Sequence, residues 1–275
     1  MTLQRFLFLF LSITSFLTAL DPGKTITQYS VQVWDMDRGL PGNSVLAVRQ
    51  TRDGYLWIGT QAGLVRFDGL NSEVYTRDKI PQLKDNVIRA LYEDEEGTLW
   101  IGTFSGGLTR YTEGEFTTYP VTKFKSLFRI SAIAEDRWGN LCIGSITEGL
   151  TCLKNDKLTT YTTKEGLPDN QVRFIHKDEK GDLWIVTAAG IVKLLEPGKF
   201  RVYASQDLLP YFITSCYYEG DTEDLWVGTN MKGLFRLKNG TITSYGIKSG
   251  IAHPTINYLY RDSMKNLWIG TDGGG

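Results

Sequence analysis

Histidine and cysteine are scarce in this sequence: 275 residues hold two histidines, His176 and His253, and three cysteines, Cys142, Cys152 and Cys216. No histidine pair stands at helix spacing, and no Cys-x-x-Cys, nucleophile elbow or phosphate-binding loop occurs. The expectation is a chain with no catalytic residue, no metal site and no cofactor. Acidic residues are plentiful, but a glycosidase-type carboxylate pair would converge from distant segments, and nothing singles one out. A block of one charge sign is also missing. Lys and Arg number 30 and Asp and Glu 31, interspersed, for a formal net charge of −1. That balance argues against a nucleic-acid partner. Beyond residue 20 no apolar run reaches transmembrane length. Nor does any later stretch of about ten residues combine a 3.6 period with few glycines, which excludes a helical repeat.

What the sequence does contain is a repeat. The fragment Thr98-Leu99-Trp100-Ile101-Gly102-Thr103 recurs with Trp57, Trp100, Trp184, Trp226 and Trp268 as anchors, and Cys142 takes the tryptophan position of the third copy. Steps between anchors are 43, 42, 42, 42 and 42 residues. A period of that size means propeller blades or helical pairs. The residues within a unit decide for blades. Asn43–Val48, Leu56–Thr60, Leu64–Phe67 and Glu73–Tyr75 are short β-branched and aromatic runs, with Asp53-Gly54, Gly63 and Asp68-Gly69 between them. Short runs punctuated by glycine turns are strand and hairpin chemistry, and four strands repeated radially make a blade.

The first strand of each blade (a) lines the axis and the fourth (d) lies outermost. Strand a carries apolar residues at matched positions, Val45, Ile88, Ile130, Val172 and Ile256, with Ala47, Ala90 and Ala132 two residues on. Strand b is apolar on both faces, so its tryptophan is expected between blades rather than on a ligand. The prediction is an all-β propeller of five complete four-stranded blades and part of a sixth, because Asp272–Gly275 falls in the b–c turn of the sixth unit. The segment Thr27–Trp34 reads as strand d of the final blade, supplied ahead of blade one.

Residues 1–20 differ from the rest. Arg5 precedes an apolar stretch that runs to Leu20, with Ala19 as a cleavage residue. This reads as a signal peptide, or else an uncleaved membrane anchor, and leaves 21–275 as the propeller. Cys142 on strand b and Cys152 on strand c lie across a short turn. A disulfide between them is open in an exported protein, but the odd count and irregular spacing favour core fillers.

The motif Gly39-Leu40-Pro41-Gly42-Asn43-Ser44-Val45 returns as Gly166-Leu167-Pro168-Asp169-Asn170-Gln171-Val172. Asp-x-x-Gly-x-Leu-Trp-Ile-Gly-Thr follows, then Gly-Leu-x-Arg with Phe or Tyr, as in Gly107-Leu108-Thr109-Arg110-Tyr111. Over about residues 26–275 this resembles the two-component regulator propeller repeat. The resemblance implies a ring of seven blades serving as the extracytoplasmic sensor of a bacterial inner-membrane receptor. The membrane is reached through segments outside the propeller, and the receptor works as a homodimer. The output, a histidine kinase or diguanylate cyclase, is not in this sequence. Blade three departs from the pattern in lacking its tryptophan, and Val186 replaces the strand-b glycine of blade four. Two other classes stay open, a secreted propeller lyase or hydrolase acting on glycans and a protein-interaction scaffold.

In a propeller the d–a connections and b–c turns emerge on one face around the channel mouth, where side chains from every blade converge. The d–a set is Asn43, Asn86 and Asn170, with Tyr211 and His253 one residue earlier in their units. The b–c set includes Gln61, Phe104, Thr147, Asn230 and Asp272, of which Gln61, Phe104 and Asn230 are the expected contacts. Amides and rings suit a small neutral polar ligand such as a glycan, though each Asn can equally serve only to close its turn. Arg66, Arg110, Lys193 and Arg236 on strand c are expected at blade edges. The acidic a–b turns, such as Glu93-Asp94-Glu95-Glu96, are expected to be solvated.

Overall fold

Short apolar runs and glycine turns produce twenty-two strands among the residues described in the computed structural model, which are 35–272 apart from 120, 121, 123, 206, 210 and 262–264. The predicted leader over 1–20 and the predicted strand Thr27–Trp34 lie outside them. Blade one holds β1 to β4 (Val45–Gln50, Leu56–Thr60, Leu64–Phe67, Ser72–Tyr75), and blade two β5 to β8 (Ile88–Glu93, Leu99–Thr103, Leu108–Thr112, Glu115–Tyr119). Blade three holds β9 to β12 (Ile130–Glu135, Leu141–Ser145, Gly149–Lys154, Lys157–Tyr161), and blade four β13 to β16 (Val172–Lys177, Leu183–Thr187, Gly190–Glu196, Lys199–Ser205). Blade five holds β17 to β20 (Ile213–Glu219, Asp224–Thr229, Leu234–Lys238, Thr241–Tyr245), and the partial sixth β21 and β22 (Ile256–Arg261, Leu267–Thr271). Each blade is an antiparallel meander in chain order. The only helical pieces among the described residues are single 3-10 turns.

First strands pack on first strands from blade to blade, and the second strand of each blade packs on the first strand of the next. No such packing joins blade six to blade one among the described residues, so the ring is open there. The core is inter-blade. Trp57 and Leu64 of blade one pack with Ile88, Leu99 and Ile101 of blade two. Trp57, Trp100 and Trp184 are buried as predicted. Trp226, whose neighbouring blade shows two strands among the described residues, is half-buried.

The strand-b glycine exists for this packing. A Cβ on Gly59 would lie 2.8 Å from a methyl of Ile88, and one on Gly228 2.8 Å from a methyl of Ile256. Each is the first residue of the next blade's innermost strand. In blade four, Val186 is wholly buried against Ile213, and its strand-a partner is Phe174 rather than alanine or serine.

Two expectations are corrected. Cys142 and Cys152 are directly opposed on β10 and β11, with Cα atoms 4.1 Å apart, and are joined in a disulfide, while Cys216 is the buried filler. Where other blades put an indole, blade three therefore has a covalent staple. The a–b turns are not simply solvated either. Asp94, Asp136 and Asp178 are buried. In blade four, one oxygen of Asp178 accepts the backbone N–H groups of Lys180 and Asp182, and the other accepts the Trp184 indole N–H at 2.9 Å. Asp94 treats Trp100 in the same way. Glu93 is buried too, accepting the Arg52 backbone N–H from blade one.

Candidate functional site

The d–a connections and b–c turns do share one face. Backbone bonds tie each b–c turn to the entry of its own innermost strand: Gln61 N–H to Ser44, Phe104 N–H to Val87, Ala188 N–H to Gln171, and Asn230 N–H to Phe212.

The residues singled out on this face have distinct jobs. The carboxamide oxygens of Asn43, Asn86 and Asn170 accept the backbone N–H groups of Met36, Arg77 and Thr163, at 3.0, 2.7 and 2.9 Å. Each fastens the start of its d–a loop to the end. In two of these loops the glycine of Gly-Leu-Pro ends a 3-10 turn at a φ near 100°, which favours glycine, and Leu40 or Leu167 then turns inward. Tyr211 stacks on Phe235 with centroids 5.2 Å apart. His253 Nδ1 accepts the Thr255 N–H, and Thr255 Oγ1 donates to Asn230. Asn230 and His253 thus meet at Thr255, Phe104 reaches blade three by accepting the Arg129 N–H at its carbonyl, and Asn43, Asn86 and Asn170 stay within their own loops. Gln61 is exposed, and Phe104 is half-buried.

Motif reading missed a second set of residues. The pairing of each first strand with its neighbour slips just after its first residue, leaving one bulged residue per blade: Leu46, Arg89, Ser131, Arg173, Thr214 and Asn257. Bulges re-aim side chains and recur near functional sites. Ser131 and Thr214 turn theirs to the neighbouring innermost strand, donating to the carbonyls of Val172 and Ile256. Arg89 and Arg173 instead carry charge. The Arg89 guanidinium lies 5.9 Å from the Phe104 ring centre, and Arg129, just before β9, lies 5.1 Å from the same ring and 5.3 Å from Phe128. Arg129 Nε is buried with no hydrogen-bond partner. The Arg173 guanidinium sits 3.7 Å from the ring centre of Phe212, and its Nε donates to Gln171. Burial pulls Arg173 below its ordinary pKa, against the opposing pull of Asp169. Only a bulge pattern read across all six blades could have found this set, and bulges leave no mark in composition.

The other end of the axis holds a cavity of about 440 Å³ lined from every blade. Arg49, Tyr92, His176, Tyr217 and Tyr260 stand at matched positions there, opposite the strand-b tryptophan site. The His176 ring lies tilted against Tyr217 with centroids 4.7 Å apart, and burial pushes its pKa down to about 4, so it is neutral near pH 7. The strand-c bases are structural. Arg66 pairs with Glu73, Lys193 with Asp182 and Arg236 with Asp224, and all three lie over the tryptophan of their own blade.

The family model described as Two component regulator propeller matches residues 39–62, 82–105, 166–189 and 250–273. The chain carries two-component regulator propeller repeats. The matched units are blades one, two, four and six. Among solved structures, this propeller is similar to the extracellular domain of a B. thetaiotaomicron protein described as a hybrid two component system. Identity is 22%, the match covers 89% of this chain and 41% of that one, and the TM-score is 0.56. A second B. thetaiotaomicron extracellular domain, described as from a one component system, matches at 22% identity over 84% of this chain and 34% of that one, with a TM-score of 0.67. The propeller therefore spans less than half the length of either. Virginiamycin B lyase from Staphylococcus aureus matches at 16% identity over 83% of this chain and 78% of the enzyme, with a TM-score of 0.66. No curated protein matches. These structural likenesses speak to the fold, which they give as a propeller.

Proposed function

We propose that this propeller is the ligand-binding part of an extracytoplasmic bacterial sensor, the outer region of a transmembrane receptor with a histidine kinase or diguanylate cyclase output. The observation that carries the reading is the family match, supported by the extracellular placement of the two B. thetaiotaomicron domains. The site is the face of d–a connections and b–c turns, and the ligand is small and polar, of the glycan kind. Gln61 and Phe104 make contact. Asn43, Asn86, Asn170, Tyr211, His253 and Asn230 hold the loops that present them. The propeller's own part is binding rather than catalysis. Ligand favours one geometry of a receptor homodimer over another, through its different affinities for the two. The test is the gene beyond residue 275. A transmembrane helix followed by a kinase or cyclase domain is expected, on the periplasmic side of which the propeller would lie. A stop codon after the last blade would favour a secreted glycan lyase or hydrolase, or an interaction scaffold.

A further inference from the structure

The charge around the axial mouth narrows the ligand class. Arg89, Arg129 and Arg173 come from three consecutive blades, two and four through bulged residues and three through the residue entering β9. Two guanidiniums share the Phe104 ring, and the third lies on Phe212, which is 52% exposed. Between them stands Ser131, already spent on the Val172 carbonyl. None of the three arginines has an ion pair at salt-bridge distance among the described residues. Asp169 faces Arg173 only at longer range, and its Oδ1 already accepts the Gln171 N–H. Arginine prefers oxyanions, which accept two parallel N–H bonds from its planar fork. An uncompensated trio raised on phenylalanine rings is therefore a site for negative charge. The rings add flat apolar surface, which a bare inorganic ion cannot use and the face of a sugar can.

We infer that the propeller binds an acidic saccharide, one bearing sulfate or carboxylate groups, with Arg89, Arg129 and Arg173 on the oxyanions and Phe104 and Phe212 against the sugar rings. This rests on the proposed ligand face and replaces the neutral ligand expected from the amides alone. The far end of the axis carries both signs: Arg49, Lys177 and Arg261 line its cavity, where Arg261 is already paired with Glu179 and Glu219.

The experiment is isothermal titration of the purified chain with four probes: sucrose octasulfate, trigalacturonate, neutral sucrose and inorganic sulfate. The two acidic sugars separate sulfate from carboxylate as the oxyanion. At least one should bind, neutral sucrose should not, and inorganic sulfate should bind at least about tenfold more weakly. Each of Arg89→Gln, Arg129→Gln and Arg173→Gln should weaken the acidic sugar about tenfold with the melting temperature held. A control removing three charges from the outermost strands, Lys157→Gln with Lys199→Gln and Arg201→Gln, should leave binding unchanged. Equal weakening by the control would show non-specific attraction and overturn the inference. So would tight binding to the triple arginine variant, or no binding of either acidic sugar. If sucrose bound instead, and Phe104→Ala abolished it, the acidic class would be wrong while the ligand face stood. If no probe bound and no variant changed anything, both would fall.

Discussion

Asp178 shows how much one carboxylate can organise: it closes the a–b turn with two backbone N–H groups, takes the Trp184 indole and faces Lys193 at 3.9 Å. Removing it leaves several buried donors unpaired, each at roughly 1–3 kcal/mol. Asp178→Ala should therefore cost about 3 kcal/mol by urea unfolding, whereas Asp53→Ala, in the exposed turn of blade one, should cost under about 1. His176 gives a pH signature. Its folded pKa near 4 lies below the ordinary value of 6.5, chiefly through burial and partly offset by Asp178. The unfolded chain thus takes up the proton first as pH falls. The stability held by neutral His176 is complete above about pH 6.5 and is lost as pH drops toward 4, on the order of 3 kcal/mol at pH 4. Because carboxylates titrate in the same range, the measurement is the difference between wild type and His176→Gln in urea midpoints from pH 7 to 4. A flat difference would show that His176 is protonated in the fold without penalty.

At the scale of the strand, the glycine after Leu-Trp-Ile is a packing rule. Gly102 of β6 lies where Ile130 of the next blade must enter, so Gly102→Val should destabilise by about 3 kcal/mol, the upper range for overpacking. A variant that lost less than about 1 kcal/mol would mean that blades two and three slide apart cheaply. The staple in blade three acts differently. It closes a loop across ten residues of sequence separation, so reduction should lower stability by about 2.5 kcal/mol on the chain-entropy estimate. Much of this was legible in the sequence. The period gave the blades, Leu-Trp-Ile-Gly-Thr gave the central strand, and Gly-Leu-Pro-x-Asn gave the d–a loop. The tryptophan core followed from apolarity on both strand faces. What stayed illegible needs three dimensions. Cys142 and Cys152 become partners only because the β10–β11 register opposes them, and irregular sequence spacing says nothing about register. The buried aspartates look like turn residues, because Asp before Gly is ordinary turn chemistry until an indole from the following strand reaches back to it. The arginine mouth depends on a bulge at the same place in every innermost strand, and Arg89 and Arg173 sit in motif positions filled by Leu, Ser, Thr and Asn elsewhere.

At the scale of the whole molecule, the ring is open between blades six and one among the described residues. Blades two to five bury both flanks against neighbours, as the inter-blade clusters show. Blades one and six each present a flank to the gap. Val48 of β1 is 57% exposed, and Tyr258 and Tyr260 of β21 are 54% and 56% exposed, although the same strand positions are covered in the interior blades. Apolar surface of this kind favours association. Twofold pairing of gap against gap would bury both flanks at once and is the closed arrangement a homodimer can reach. The chain should accordingly sediment as a species larger than a monomer, with a weight-average mass that rises with concentration in the micromolar range. Val48→Asp with Tyr260→Asp should return it to a monomer while keeping the β-rich circular dichroism and the melting transition, because neither side chain is buried. A wild-type chain that stays monomeric at all concentrations would mean the flanks are tolerated in water. A mutant that still associates would move the contact to the outer edges of the blades.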